Sequence, residues 1–493
     1  MKRVASGILP MIAVNRKAPK ALHRQIYDAY RAAIVDGSLR PGQRIPSTRV
    51  LASEIRVSRF PVLNAYAQLL AEGYLESRVG SGTVIASSLP DQLTSSRPAR
   101  STHAPTPSGP RPVARRCSIL TRVVRFPWMQ SWGAFRVGQV AFDQFPLQVW
   151  SNLVARRCRT MDAHAFHYGD QMGSMALRET IANYLKAARS LRCEAEQVMI
   201  VGGSQQALEI AARVLLDPGN SVWVEQPGYH LARDVFALTG CHPVAVPVDE
   251  EGLDVAAGIR QCRKARAAFV TPSHQFPLGV TMSASRRLQL VDWAQNSGSW
   301  IIEDDYDSEF RYESLPIASL QGLDSNSRVI YIGTFSKALF PALRVGYIVI
   351  PSDLVERFNA IRRVMDLSSP RFYQEVLSDF IREGHFARHI RRMRVHYGEL
   401  RSALVASLSK ELGLLVEVLG DEAGMHVAVA LQSGTRDLEI AERAARRNLS
   451  LWPLSPSYMG EASRQGFILG FGGTSLPEIP HAVRKLRDLL AMK

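Results

Sequence analysis

Cysteine is scarce in this 493-residue chain. Its five cysteines, Cys117, Cys158, Cys193, Cys241 and Cys262, are scattered without CxxC spacing. The spacing therefore offers no zinc-ligand set, no metal is expected, and no disulfide framework is indicated; a reducing, cytoplasmic setting fits such usage. No window approaches the roughly 18 continuous apolar residues that a membrane-spanning helix needs. The opening stretch to Val14 is mildly apolar but is broken by Gly7 and Pro10, and basic residues resume at Arg16. It reads as an arm and not as a signal peptide. No internal repeat is visible. Acidic charge is short at one end only: residues 1–125 hold 20 Lys and Arg against 6 Asp and Glu, so +14 of the total +15 lies there. Such asymmetry points to a polyanionic partner, and nucleic acid is favoured over a membrane because no amphipathic basic helix accompanies the charge.

The length calls for two or three domains. Residues 87–125 are rich in Ser, Pro and Arg, including Pro107-Ser108-Gly109-Pro110, and poor in large apolar residues. They read as an extended basic linker. The expected division is thus an arm over 1–19, a DNA-binding unit over 20–86, the linker over 87–125, and a long alternation of strands and helices over 126–493.

In the front unit, Leu22, Ile26, Tyr30 and Ile34 recur at the helical period. Gly37 and Pro41-Gly42 stop that helix. Ser47-Thr48 can cap a second helix running through Ile55, and Val57-Ser58 turns into a third over 59–72. Two short helices joined by a tight turn make a helix-turn-helix. Residues 73–85 form two β-rich runs around Gly80-Ser81-Gly82, the pattern of a small hairpin. Leu39-Arg40-Pro41-Gly42, Pro46-Ser47, Val57-Ser58-Arg59, Glu72-Gly73-Tyr74 and Gly80-Ser81-Gly82-Thr83 together resemble the GntR-type winged helix. The resemblance implies a recognition helix beginning at Arg59. Arg49, Ser58, Arg59, Asn64, Arg78, Ser81 and Gly82 are then expected at double-stranded DNA. Phe60-Pro61 depart from the family, which has polar or small residues there, and Arg56 replaces a common glycine in the turn.

Further along, the apolar run Val198–Val201 feeds Gly202-Gly203-Ser204-Gln205, opening a helix. Free amides and the positive helix end suit a phosphate there, although an empty strand-to-helix turn reads the same. A second run ends in Glu303-Asp304-Asp305-Tyr306, acids at a strand end that suit a pyridine nitrogen, a magnesium ion or a helix cap. A third leads to Gly333-Thr334-Phe335-Ser336-Lys337, a lysine among small hydroxyl residues able to form a Schiff base.

In that order, with 33 residues from acid to lysine, these signals resemble the fold-type I pyridoxal-phosphate enzymes of the aspartate aminotransferase group. Glu225-Gln226-Pro227-Gly228-Tyr229, Ser273-His274-Gln275-Phe276-Pro277 and His167-Tyr168-Gly169-Asp170 extend the match. The resemblance implies pyridoxal 5′-phosphate (PLP) on Lys337, Asp304 at the ring nitrogen, Tyr306 at the ring hydroxyl and Tyr229 stacked on the ring. Ser204, Gln205, Thr334, Ser336 and Arg344 are implied at the phosphate, with Tyr168 arriving from a second subunit. The asparagine that tunes the ring hydroxyl in ordinary aminotransferases is missing from Phe276-Pro277-Leu278-Gly279; His274 or Gln275 is the expected substitute. Arg464 is the nearest candidate to fork an effector carboxylate. A GntR reader ahead of such a domain resembles the MocR/GabR regulators. The implied fold is an α+β winged helix-turn-helix followed by an α/β fold-type I domain with a smaller α+β subdomain. The implied protein is a homodimeric bacterial regulator, nucleoid-associated when bound, that senses an amine, amino acid or B6 vitamer and reads repeated half-sites. Net turnover is not expected; the alternative is an aminotransferase with an accessory DNA-binding unit.

Overall fold

The computed structural model describes residues 14–16, 18–78, 82–88, 111–112, 114, 130, 132–161, 166–312, 318–432 and 436–491. Most of the expected arm and linker, and the wing tip with Ser81, lie outside the described residues. The chain divides into two compact units, Met1–Pro112 and Val113–Lys493.

In the front unit, α1 (Leu22–Val35) buries Ile26, Tyr27, Tyr30, Ala33 and Ile34, the stripe its periodicity demands. α2 (Thr48–Glu54) starts at Ser47, whose hydroxyl accepts the Val50 amide. α3 (Arg59–Ala71) packs Val62, Ala65, Tyr66 and Leu69 inward. The second and third helices each stop one residue before their expected last residue: Ile55 and Glu72 are C-caps. The Tyr30 and Tyr66 hydroxyls lie 3.0 Å apart, and Tyr66 also donates to the Pro46 carbonyl. That polar tie fixes α1, α3 and the turn before α2 within an apolar core, and it gives both buried hydroxyls a partner. β1 (Leu75–Arg78) and β2 (Gly82–Ile85) pair antiparallel, Leu75 opposite Ile85, and Arg44 bridges to Val84.

The rear unit is built on an eight-stranded sheet. Its strands are β3 (Val198–Val201), β4 (Ser221–Gln226), β5 (His242–Asp249), β6 (Gly252–Leu253), β7 (Ala267–Val270), β8 (Trp300–Asp305), β9 (Val329–Thr334) and β10 (Gly346–Val349). The order is β3-β10-β9-β8-β7-β4-β5-β6. The pairs within β9-β8-β7-β4-β5 are parallel, whereas β10 runs antiparallel to both β9 and β3. The central strands are apolar on both faces, as helix-covered parallel strands must be. Met199, Val201, Phe269, Ile302 and Ile330 face one helical layer, while Val198, Ile200, Tyr331 and Tyr347 face the other.

A second, antiparallel sheet, in the order β11-β12-β14-β13, comprises β11 (Val416–Leu419), β12 (His426–Leu431), β13 (Trp452–Pro453) and β14 (Gly466–Gly470). The helices His385–Leu412 and Glu478–Ala491 pack into the same apolar core as its inner residues Val427, Val429, Phe467 and Leu469. No described helix is long and apolar enough to cross a membrane.

Candidate cofactor site and DNA-reading face

Strand parity sorts the acidic run. Successive side chains of β8 point to opposite faces, so Glu303 and Asp305 share one side and Asp304 takes the other. Glu303 accepts the amides of Leu320 and Gln321, and Asp305 is paired with Arg189 at 2.7 Å. Only Asp304 of the three lines the cavity, where the Ser204 hydroxyl at 3.5 Å is its hydrogen-bond donor. Burial, reinforced by the charge of Asp305, pushes its carboxyl up to about 7. A buried carboxylate so poorly compensated calls for a cationic partner in the cavity.

The lysine sits one strand over. Thr334 ends β9 and caps the short helix Phe335–Ala338, its hydroxyl accepting the Ser336 amide at 3.2 Å and donating to the Ser336 hydroxyl at 3.1 Å. That turn carries Lys337 into the cavity wall. Burial lowers its ammonium pKa, with Asp307 and Asp304 opposing. The neutral amine, which is the nucleophilic form, is thereby favoured. Gly138 passes so close that a Cβ there would fall 2.7 Å from the lysine Nζ. Its φ of +80° is also one that glycine adopts without strain.

At the anionic end, the helix Ser204–Leu215 presents its N-terminus directly after β3. Gly203 has φ +113°, and a Cβ on it would stand 3.3 Å from the Arg344 guanidinium. Free amides, helix dipole and guanidinium converge there with Ser204, Gln205, Thr334 and Ser336. These residues share one cavity of about 260 Å³ with Lys337, Asp304, Tyr306 and Tyr229. Gln205 donates to the Tyr229 hydroxyl at 3.1 Å, and burial holds that phenol up to about 12.

Of the two expected substitutes for the missing asparagine, Gln275 is committed elsewhere: its amide donates to Glu225, Pro227 and Phe276 oxygens. His274 reaches the site through Tyr306, whose hydroxyl lies 3.1 Å from His274 Nδ1 and donates to the His274 carbonyl at 2.9 Å. The same Nδ1 lies 3.0 Å from Asp307. Asp307 and His426 both line the cavity and were missed by sequence reasoning. Asp307 had a signal, standing in the same acidic run three residues beyond Asp304. His426, kept neutral by burial and by His274 at about 3, had none, because it comes from the second sheet. Donor atoms of His274, Asp307 and His426 lie within 4.8 Å of one another.

Two expected site residues stand apart. Tyr168 is 86 % exposed and does not line the cavity within its own chain. Arg464 is half-exposed beside Glu417 at 3.5 Å, away from the cavity; among the described residues Arg344 is the one guanidinium lining it.

On the front unit, Arg49, Ser58, Arg59, Asn64 and Gly82 are all exposed, and Arg78 pairs with Gly82 through the backbone. Arg59 Nε donates to Thr48 at 3.2 Å, which ties the start of α3 to α2. Ser58 is the N-cap of α3 but makes no side-chain cap bond. Pro61 at the third helical position lacks one of the two N–H groups that such a cap engages.

An anion cradle, a buried amine and a buried carboxylate in one cavity suit a phosphorylated pyridine aldehyde, and pyridoxal 5′-phosphate is that molecule. The comparisons with known proteins agree. Residues 134–452 match the model for aminotransferase class I and II, and residues 22–85 match that for bacterial regulatory proteins of the gntR family. The probable rhizopine catabolism regulatory protein MocR of Rhizobium meliloti is 37 % identical over 483 residues, covering 97 % of this chain and 95 % of that one. The pyridoxine biosynthesis transcriptional regulator PdxR of Corynebacterium glutamicum is 28 % identical, covering 98 % of each chain. Among solved structures, a Pyrococcus horikoshii kynurenine aminotransferase superposes with a TM-score of 0.69 at 26 % identity, over 78 % of this chain and 96 % of that one. Matched along nearly its whole length by a regulator and in its rear two-thirds by aminotransferases, the chain belongs to the MocR/GabR family of PLP-dependent, DNA-binding transcriptional regulators.

Proposed function

We propose that the chain is a sensor-regulator in which an amine, an amino acid or a B6 vitamer reports its presence at the PLP cavity. Lys337 would anchor the cofactor, with Asp304 at the ring nitrogen, Tyr306 at the ring hydroxyl and Tyr229 on the ring face. Ser204, Gln205, Thr334, Ser336 and Arg344 would hold the phosphate. PLP, when bound, supplies an electrophilic carbon that captures primary amines. The chain's own residues then set the conditions. Burial lowers the Lys337 ammonium pKa and so favours its neutral form, Asp304 would hold a proton at the ring nitrogen, and the Asp307–His274 pair orients the Tyr306 hydroxyl.

Sensing requires the effector to favour one state of the rear unit over another, and the states to differ in DNA affinity. The exposed Phe166 and Tyr168 suit a contact with a second copy, and a dimer would present two winged helices to repeated half-sites. The observation that carries the reading is the meeting of Lys337, Asp304 and the anion cradle in one cavity, on a chain headed by a DNA-binding unit.

The test is a titration of the PLP-loaded chain with candidate amines, recording visible absorbance and operator binding together. A spectral change coupled to a change in DNA affinity supports the reading. Sustained turnover of an amino donor with a keto acid, at unaltered DNA affinity, would favour an aminotransferase instead.

A further inference from the structure

The recognition helix is apolar nearly all round, which a one-sided core does not require. Its inner face, Val62, Ala65, Tyr66 and Leu69, is fully accounted for by packing. Its outer face is not. Phe60, Leu63, Asn64 and Ala67 follow the i, i+3, i+4, i+7 spacing and are all exposed; Phe60 is 70 % and Leu63 40 % accessible. Val50 of α2, 49 % exposed, is a further large apolar side chain left uncovered in this unit. Phe60 and Leu63, one turn apart on the same side of α3, together leave an exposed apolar face of the kind that marks an interaction surface.

Residues 1–125 carry +14, which points to a polyanionic partner. In the DNA major groove the apolar feature on a base edge is the thymine methyl, and asparagine bonds adenine through two parallel hydrogen bonds. Adenine and thymine of one pair show these features in the same groove. Asn64 lies one turn beyond Phe60, so both can address one short A·T-containing step. Resting on the reading of α3 as the DNA-reading helix, we propose that Phe60 and Leu63 cover thymine methyl groups, beside an adenine held by Asn64. The operator half-site then carries A·T pairs beneath the first two turns of α3.

The experiment uses the full PLP-loaded chain at fixed salt. A random duplex pool is selected for binding, and the selected duplex is then made with either thymine or deoxyuridine at each position. Deoxyuridine lacks only the methyl, so wild type is expected to lose about four-fold in affinity for each covered methyl. Phe60→Ala is expected to lose the deoxyuridine sensitivity and the thymine preference at the position that Phe60 covers, while keeping them where Leu63 sits, and Phe60→Leu retains both. Phe60 is exposed, so both variants should melt with the wild type. Equal sensitivity to deoxyuridine in wild type and Phe60→Ala overturns the inference. So does a Phe60→Ala phenotype confined to oligomeric state, which would make the face a protein contact. If Arg49→Ala and Asn64→Ala also leave DNA binding untouched, the assignment of α3 as reader fails, not merely its thymine contact.

Discussion

Replacing Asp304 with asparagine removes a buried carboxyl whose pKa stands at about 7, against 3.8 in the open chain. The raised value belongs to the folded state, so folding takes up a proton here between those limits. Below pH 3.8 the group becomes protonated in both states and its cost disappears. Above pH 7 the folded, cofactor-free chain must bury a charge whose hydrogen-bond donor among the described residues is the Ser204 hydroxyl. The gap between the two values corresponds to about 4 kcal/mol. Cofactor-free Asp304→Asn is therefore expected to match wild type near pH 4 and to exceed it by up to ~4 kcal/mol at pH 8. With PLP bound as proposed, the order is expected to reverse, because the carboxylate would then face a protonated ring nitrogen. Denaturant melts of stripped and loaded protein at pH 4 and pH 8 measure this. Glu225, Glu303 and Glu309 are also held at about 7 by burial, and each pulls wild-type stability down as pH rises. Comparison of the two proteins isolates Asp304. Equal stability of the stripped proteins at pH 8, or an unchanged PLP affinity, refutes the argument.

Lys337→Ala should lose the visible band of the loaded protein while its winged helix still binds DNA, and an unchanged spectrum would displace the cofactor from this lysine. Arg344→Ala should weaken PLP by roughly 10- to 100-fold, the worth of a charge-assisted bond, as read by equilibrium dialysis. Arg56 holds φ +53° in the turn before α3, so Arg56→Gly should stabilise the front unit by about 0.5–1 kcal/mol in thermal melts. The same change should lower the slope of log affinity against log salt by about one for each phosphate that the guanidinium no longer neutralises.

The winged helix was legible because its signals are local: periodicity in α1, the Ser47 cap and the glycines of the hairpin. The placement of the glycine turn, the acid and the lysine was also legible, because each sits where a buried strand ends. What the sequence hid is long-range. Nothing in Gly346–Val349 distinguishes an antiparallel strand from a parallel one, yet β10 runs antiparallel between β3 and β9, and this brings Ser204 beside Thr334 and Arg344. His426 reaches the cavity from the second sheet. Arg464 precedes β14 closely enough to suggest a ligand role, but it stands at that strand's solvent end, beside Glu417. The spacing of Glu303, Asp304 and Asp305 shows that the outer two share a face. Which face meets the cavity was decided by Arg189 and by the amides of Leu320 and Gln321.

The central claim is that the cavity at Lys337 and the DNA-reading face belong to one sensor. Its most direct measurement is a titration of the full chain on DNA from upstream of its own gene, with and without PLP, while visible absorbance is followed. Salt-sensitive, sequence-selective binding that changes as the absorbance band appears is the predicted result. A protein that acquires the band yet binds this DNA with identical affinity and selectivity in both forms would contradict the coupling.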